Sequence, residues 1–239
     1  MIFFTPMMSI LAIYVLAAVL PAFFLLRYIY RQDTIEKEPG YLLWQLLLGG
    51  VLAALASIVL ETLGSAILNN TVDQSDPKYY IIMAFLVVAA VEEGTKLFFL
   101  KRRSWRDPNF NYMFDGLVYS VFVSLGFAAF ENIKYVFNYG VSVAVPRALL
   151  AIPGHMGFAV FMGIFYGRAK LAESRGNAFG AKSNLLAGYL SAVFLHGFYD
   201  SCCMIGTRLS TAIFVGFVVL MYIVVFRLIK KASWEDRPI

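Results

Sequence analysis

The sequence predicts an all-α, polytopic transmembrane helical bundle of about seven membrane-spanning helices, on three observations. Hydrophobic residues fill 60% of the 239 positions and charged residues only 15%, far from the balance of a soluble domain of this length. Runs approaching or exceeding the ~20 apolar residues that cross a ~30 Å hydrocarbon core recur along the whole chain. Lys and Arg collect in alternate connections between those runs, as positive-inside topology requires.

The spans are read from continuous apolarity, because fully buried helices lose a clear amphipathic period. The first, Met8–Ile29, has no basic residue ahead of it and no small-x-small cleavage site, so it reads as a retained helix rather than a signal peptide. The second, Tyr41–Leu60, runs on past Glu61 toward Ile67. The third, Tyr79–Leu100, is apolar except for Glu92, Glu93 and Lys96. The fourth, Tyr112–Phe137, is long enough to tilt or to kink near Gly126. The fifth, Arg147–Gly167, contains Pro153 and Gly154, which loosen a helix just before His155. The sixth and seventh are Asn184–Ile205 and Thr211–Ile229. The basic linker RAKLAESRGNAFGAKSN, between the fifth and sixth, is polar but too short for a separate domain. Residues 1–239 are therefore expected to form one integral membrane domain, and no repeat is visible in the sequence.

Connections after odd-numbered spans hold fifteen Lys and Arg, against four in the even-numbered ones and Lys96 within the membrane. This bias predicts that the N-terminus faces out and the C-terminus faces the cytoplasm. The net charge of +5 thus reports topology, and no basic patch with interleaved aromatics points to nucleic acid. Cys202 and Cys203 are adjacent, a poor arrangement for a disulfide or a CxxC pair, and are expected to pack.

An ionisable side chain at mid-membrane costs ~2.5–3.5 kcal/mol on insertion scales, so each needs a partner, an aqueous cavity or a function. Glu92 and Lys96 lie four apart on one helical face, while Glu93 is rotated ~100° away. A polar clamp between helices would account for these three alone. The remaining polar inventory argues for more. Phe127 and Glu131 lie one turn apart on the fourth span, His155 is on the fifth, and His196 and Asp200 stand at i and i+4 on the sixth, where the aspartate can orient the imidazole. With ~1.5 Å of rise per residue, Glu92 and Glu93 fall near mid-membrane, the histidines at or slightly outside it, and Glu131 and Asp200 further toward the outer face. Both histidines of the chain, three glutamates and an aspartate therefore converge in depth, which predicts one shared site.

Carboxylates and imidazoles in a water-accessible pocket suit hydrolysis, in which one group deprotonates water, another stabilises an oxyanion and a third protonates the leaving amine. The same groups are zinc-ligand types, and Glu131, His155 and His196 could supply three ligands with water as the fourth. The sequence leaves both mechanisms open. HExxH and GxSG are absent, and the Tyr199-Asp200 pair lacks an accompanying GxGD, which disfavours other intramembrane hydrolase classes.

Three motifs in order, EExxK (Glu92-Glu93-Gly94-Thr95-Lys96), FxxxE (Phe127 to Glu131) and HxxxD (His196 to Asp200), with His155 between the last two, resemble the PrsW family of membrane-embedded proteases. That family is a branch of the superfamily that includes the CAAX-prenyl endopeptidases. The segment DTIEKEP, Asp33 to Pro39, is similar to the acidic, Pro-containing stretch after the family's first helix. The resemblance implies a site-1 endopeptidase of the bacterial cytoplasmic membrane that cuts the extracytoplasmic juxtamembrane part of a single-pass anti-sigma factor. That cut starts regulated intramembrane proteolysis and releases a sigma factor. It further implies catalytic roles for Glu92, Glu93, Glu131, His155, His196 and Asp200, supported by Lys96 and Phe127. The CAAX-processing branch carries His where this chain has Glu131, and Arg where it has Lys96, so the metal question stays open. A proton- or cation-coupled transporter would use the same residue types, as would a silent scaffold that only holds a transmembrane helix.

Overall fold

Seven helical rods follow one another in the computed structural model, which describes residues 4–239. They are α1 (Phe4–Gln32), α2 (Gly40–Thr71), α3 (residues 77–104), α4 (Asp115–Tyr139), α5 (residues 141–174), α6 (Ala178–Ile205) and α7 (Arg208–Trp234). Among the described residues there is no strand, only an isolated β-bridge between Tyr112 and Pro238. The first three residues, at the predicted outward-facing N-terminal end, lie outside the described residues.

Five rods are long and apolar enough to cross a membrane. The other two, α3 and α6, are those that carry Glu92, Glu93 and Lys96, and His196 and Asp200. The seven predicted spans therefore all exist as helices, with shifted ends. Residues 112–114 precede α4 rather than opening it, because Asp115 Oδ2 accepts the N–H of Asn111 and of Tyr112 at 3.0 and 2.7 Å and Met113 N–H donates to Arg237 O. The polar linker after the fifth span is almost wholly helical. Only residues 175–177 interrupt it, where Gly176 takes φ +74° and Asn177 Oδ1 caps α6 by accepting Gly180 N–H at 2.7 Å. The helices thus extend beyond their apolar cores.

α4 is the axis of the bundle. Its most apolar window is 78% buried, against 17% for α1, 33% for α2 and 22% for α7, so the last three turn most of their side chains outward. Residues such as Leu16, Val59 and Val219 are more than half exposed, an arrangement that lipid rewards and water penalises. Small residues let α4 approach its neighbours closely. A Cβ on Gly116 would meet Gly167 N at 2.5 Å, and one on Gly163 would meet Leu117 Cα at 2.6 Å. Gly126 likewise sits against the backbone of Leu47, where a Cβ would meet Leu47 O at 2.3 Å, and α4 runs unbroken through it. Gly163→Val should destabilise the fold by ~1–3 kcal/mol or more through overpacking. Gly216→Val, which meets open space, is the control, and the unfolding midpoint in detergent compares them.

One end of the bundle gathers residues 33–39, 105–114 and 175–177 with the C-terminal tail, and carries most of the basic residues. There Trp105, Phe110 and Tyr166 pack ring to ring at 5.1–6.2 Å, with Tyr119 against Phe110 at 5.3 Å. This aromatic plug fills the interior at the basic end. In the connection between α1 and α2, burial pushes the Asp33 carboxyl up to about 6 and that of Glu38 up to about 7.

Candidate active site

Two π-helical stretches aim the polar side chains. One, Met83–Ala89, precedes Glu92 on α3, and the other, Arg147–Ala151, precedes His155 on α5. Each opens the i→i−4 ladder and rotates the residues that follow, a feature common near functional sites. For α5 the cause is visible in sequence. Pro153 has no N–H to give Leu149, and Tyr222 of α7 instead donates its hydroxyl to Leu149 O at 2.7 Å. The loosening expected before His155 thus takes the form of a π-helical stretch. On α3, Phe85 of the π stretch packs where Gly197 has no side chain: a Cβ there would meet Phe85 Cδ1 at 2.5 Å. That contact brings α3 close enough for Glu93 to reach His196.

The predicted residues form one connected network. Lys96 Nζ donates to Glu92 Oε2 at 3.0 Å, to Glu93 Oε1 at 2.8 Å and to His155 Nδ1 at 3.2 Å, and lies 4.0 Å from the centre of the Phe127 ring. An ammonium can only donate, so His155 Nδ1 accepts and its Nε2–H donates to Glu131 Oε2, 3.1 Å away. His196 Nδ1 faces Glu93 Oε1 at 2.9 Å, and its Nε2 faces Asp200 Oδ2 at 3.3 Å and Glu92 Oε2 at 4.0 Å. Phe158 stacks on the His196 ring at 4.8 Å, fixing its plane.

The two adjacent glutamates are not equivalent. Glu92 lines a cavity of about 360 Å³ together with Glu61, Glu131, His155, His196 and Asp200. Glu93 is fully buried behind that wall and does not line it, and its Oε2 has no hydrogen-bond partner. The lining continues through Lys134, Tyr135, Arg147, Cys203 and Met204, near the helix ends remote from the basic connections.

Sequence reasoning missed Arg147 and Glu61 as members of the site. In sequence Arg147, at the start of the fifth span, reads as one of the four Lys and Arg of the even-numbered connections. Its Nη2 donates to Glu131 Oε2 at 2.8 Å, its Nε donates to Asn132 Oδ1 at 2.8 Å, and its guanidinium stacks 3.8 Å from the Tyr135 ring centre. Asn132 in turn donates to Ala18 O of α1 at 2.8 Å. Glu61 was noted only as a carboxylate that its span runs past. Its position inside a 32-residue helix was the available signal. Cys202 and Cys203 are free thiols, the first buried and the second exposed at the cavity.

Glu92, Glu93, His155 and His196 each offer a ligand atom within 4.8 Å of the other three, and could hold a metal ion. The residues fit such an ion chemically, since imidazole nitrogens and carboxylate oxygens are zinc donors and Glu93 Oε2 is an orphaned buried acceptor. Glu131 stands just outside this group, tied to His155 and Arg147.

The profile of the family described as "PrsW family intramembrane metalloprotease" matches residues 37–229. The chain belongs to the PrsW family. Protease PrsW of Geobacillus kaustophilus is 33% identical over 223 residues, covering 93% of each chain. That of Oceanobacillus iheyensis is 32% identical over 95% of this chain and 97% of its own. Protease PrsW of Bacillus subtilis is 30% identical over 90% and 94%. No solved structure matches. As a PrsW protein the chain is a multi-pass membrane protein and a peptide hydrolase.

Proposed function

We propose that this PrsW protein is a site-1 endopeptidase that cuts the extracytoplasmic juxtamembrane region of a single-pass membrane protein such as an anti-sigma factor. That cut initiates regulated intramembrane proteolysis and release of a sigma factor. The observation that carries the reading is the cavity. It is lined by Glu92, Glu131, His155, His196 and Asp200 and extends to Lys134, Arg147 and Met204 near the helix ends away from the basic connections, which positive-inside topology makes the outer end. The aromatic plug at the opposite end disfavours a transport path through the bundle.

In this mechanism Glu92 is the general base. It takes a proton from water as the water oxygen bonds to the scissile carbonyl carbon, and passes that proton to the amine as the C–N bond breaks. His196, its ring held through Nδ1 by Glu93 and by the stacked Phe158, shares its Nε2–H between Asp200 and the oxyanion. Glu131, clamped by Arg147, orients His155. In the metal-assisted alternative, Glu92 and His196 would instead serve as ligands with Glu93 and His155, and a zinc ion held there would supply Lewis-acid polarisation of the carbonyl and a more acidic water. Residues 1–239 act in this reading as one membrane protease domain.

Two measurements test it. Cleavage of a reconstituted single-pass substrate, with products mapped by mass spectrometry, should place the cut within a few residues of the outer membrane boundary. A cut on the cytoplasmic side would overturn the assignment. In intact cells a membrane-impermeant maleimide should label Cys203 from outside, and labelling confined to inverted vesicles would reverse the topology.

A further inference from the structure

A second group of acids lies at the basic end, apart from the Glu92 network. Asp33, Glu38 and Asp115 are 2%, 3% and 1% exposed, and one carboxylate oxygen from each lies within 4.8 Å of the other two. Among the described residues no Lys, Arg or His side chain lies within 4.0 Å of any of them. Lys37, next to Glu38 in sequence, turns its ammonium to the carbonyl oxygens of Tyr30 and Asp33 instead. Burying carboxylates without a counter-charge is costly. Moreover, Asp33 Oδ2 is buried with no hydrogen-bond partner, although it belongs to a side chain that faces the other two acids. The side-chain Oδ1 of Asn111, whose own N–H binds Asp115 Oδ2, is a second buried acceptor without a donor.

We propose that Asp33, Glu38 and Asp115 bind one hard divalent cation, with Ca²⁺ the best fit. Oxygen-only donors select Ca²⁺ or Mg²⁺ over zinc, and three converging carboxylates suit Ca²⁺, which takes many protein oxygens, better than Mg²⁺, which keeps several waters and binds through one or two carboxylates. The remaining oxygens are already oriented for the purpose. Tyr119 donates to Glu38 Oε2 at 2.6 Å, and the N–H groups of Asn111 and Tyr112 hold Asp115 Oδ2. The ion would fasten the connection between α1 and α2 to the first turn of α4. The C-terminal tail joins the same structure, since Ile239 N–H donates to Asn111 O at 2.8 Å.

The test uses the full chain in lipid nanodiscs after chelator treatment. Ca²⁺ is titrated calorimetrically, and Tb³⁺ luminescence sensitised through Tyr119 is displaced by Ca²⁺. One Ca²⁺ per chain should bind, unchanged in His155→Ala/His196→Ala and weakened at least tenfold in both Asp33→Asn and Glu38→Gln. No binding of Ca²⁺ or Tb³⁺ by the unaltered protein would overturn the proposal and leave shared protons as the neutralising charge. Binding lost in the histidine variant but kept in the two acid variants would overturn it too, by moving the ion to the Glu92 cluster. Should either acid variant fail to fold, the unaltered chain and the histidine variant still decide.

Discussion

Glu92→Gln is expected to lower the rate of peptide cleavage by ~10²–10⁴-fold, the range a positioned general base contributes, while leaving the protein folded. The amide keeps the shape of the side chain and still accepts from Lys96, but cannot take a proton from water. Glu93→Gln should behave differently, although it is the same substitution one residue away. Glu93 does not line the cavity, yet it accepts from Lys96 at 2.8 Å and faces His196 at 2.9 Å. Its loss should loosen both partners, lowering activity together with the unfolding midpoint. Single-turnover cleavage and thermal unfolding on the same preparations separate the two. Equal loss of activity with equal loss of stability in both variants would sink the assignment of Glu92 to water and Glu93 to support. Arg147→Ala supplies a third point. Freed of its clamp, Glu131 should hold His155 less firmly, and cleavage should fall by ~10-fold or more because small misplacements of catalytic groups are costly.

Much of this architecture is written in the sequence because lipid imposes a coarse rule. Helices must be apolar, so Glu92, Lys96, Glu131 and His196 stood out against their spans, and helical rise alone brought them to compatible depths. What depth does not fix is rotation about each helix axis. Whether Glu92 or Glu93 faces the cavity depends on the π stretch at Met83–Ala89 and on Phe85 seating against Gly197, neither of which has an apolarity signature. Arg147 was hidden for a related reason. At a helix end a guanidinium looks like a topology charge, and only the fold reveals that it turns inward to Glu131. The Asp33, Glu38 and Asp115 cluster lies outside the reach of hydropathy too, because it joins the connection between α1 and α2 to the first residue of α4, far away in sequence.

Lys96→Met should be the most destabilising single change in the site. The ammonium is 2% exposed and serves Glu92, Glu93 and His155 at 3.0, 2.8 and 3.2 Å. Removing one partner of a buried ion pair typically costs ~3–5 kcal/mol, because the other charge remains buried and unpaired. Here two carboxylates are stranded, and such a loss is a large fraction of the ~5–15 kcal/mol that holds a domain folded. A double-mutant cycle checks the origin of the effect. Glu93→Gln added to Lys96→Met should recover part of the lost stability, since it removes one stranded charge, and strict additivity would mean that the pair does not interact. The same variant bears on the metal. Lys96 Nζ contacts three of the four residues able to ligate an ion, so a divalent cation can replace the charge that methionine removes. Zn²⁺ added to chelator-stripped Lys96→Met should therefore raise its unfolding midpoint more than that of the unaltered protein. An equal shift in both would show that the ion and the lysine act independently, and no shift in either would leave Lys96 as the cation on which the buried carboxylates depend.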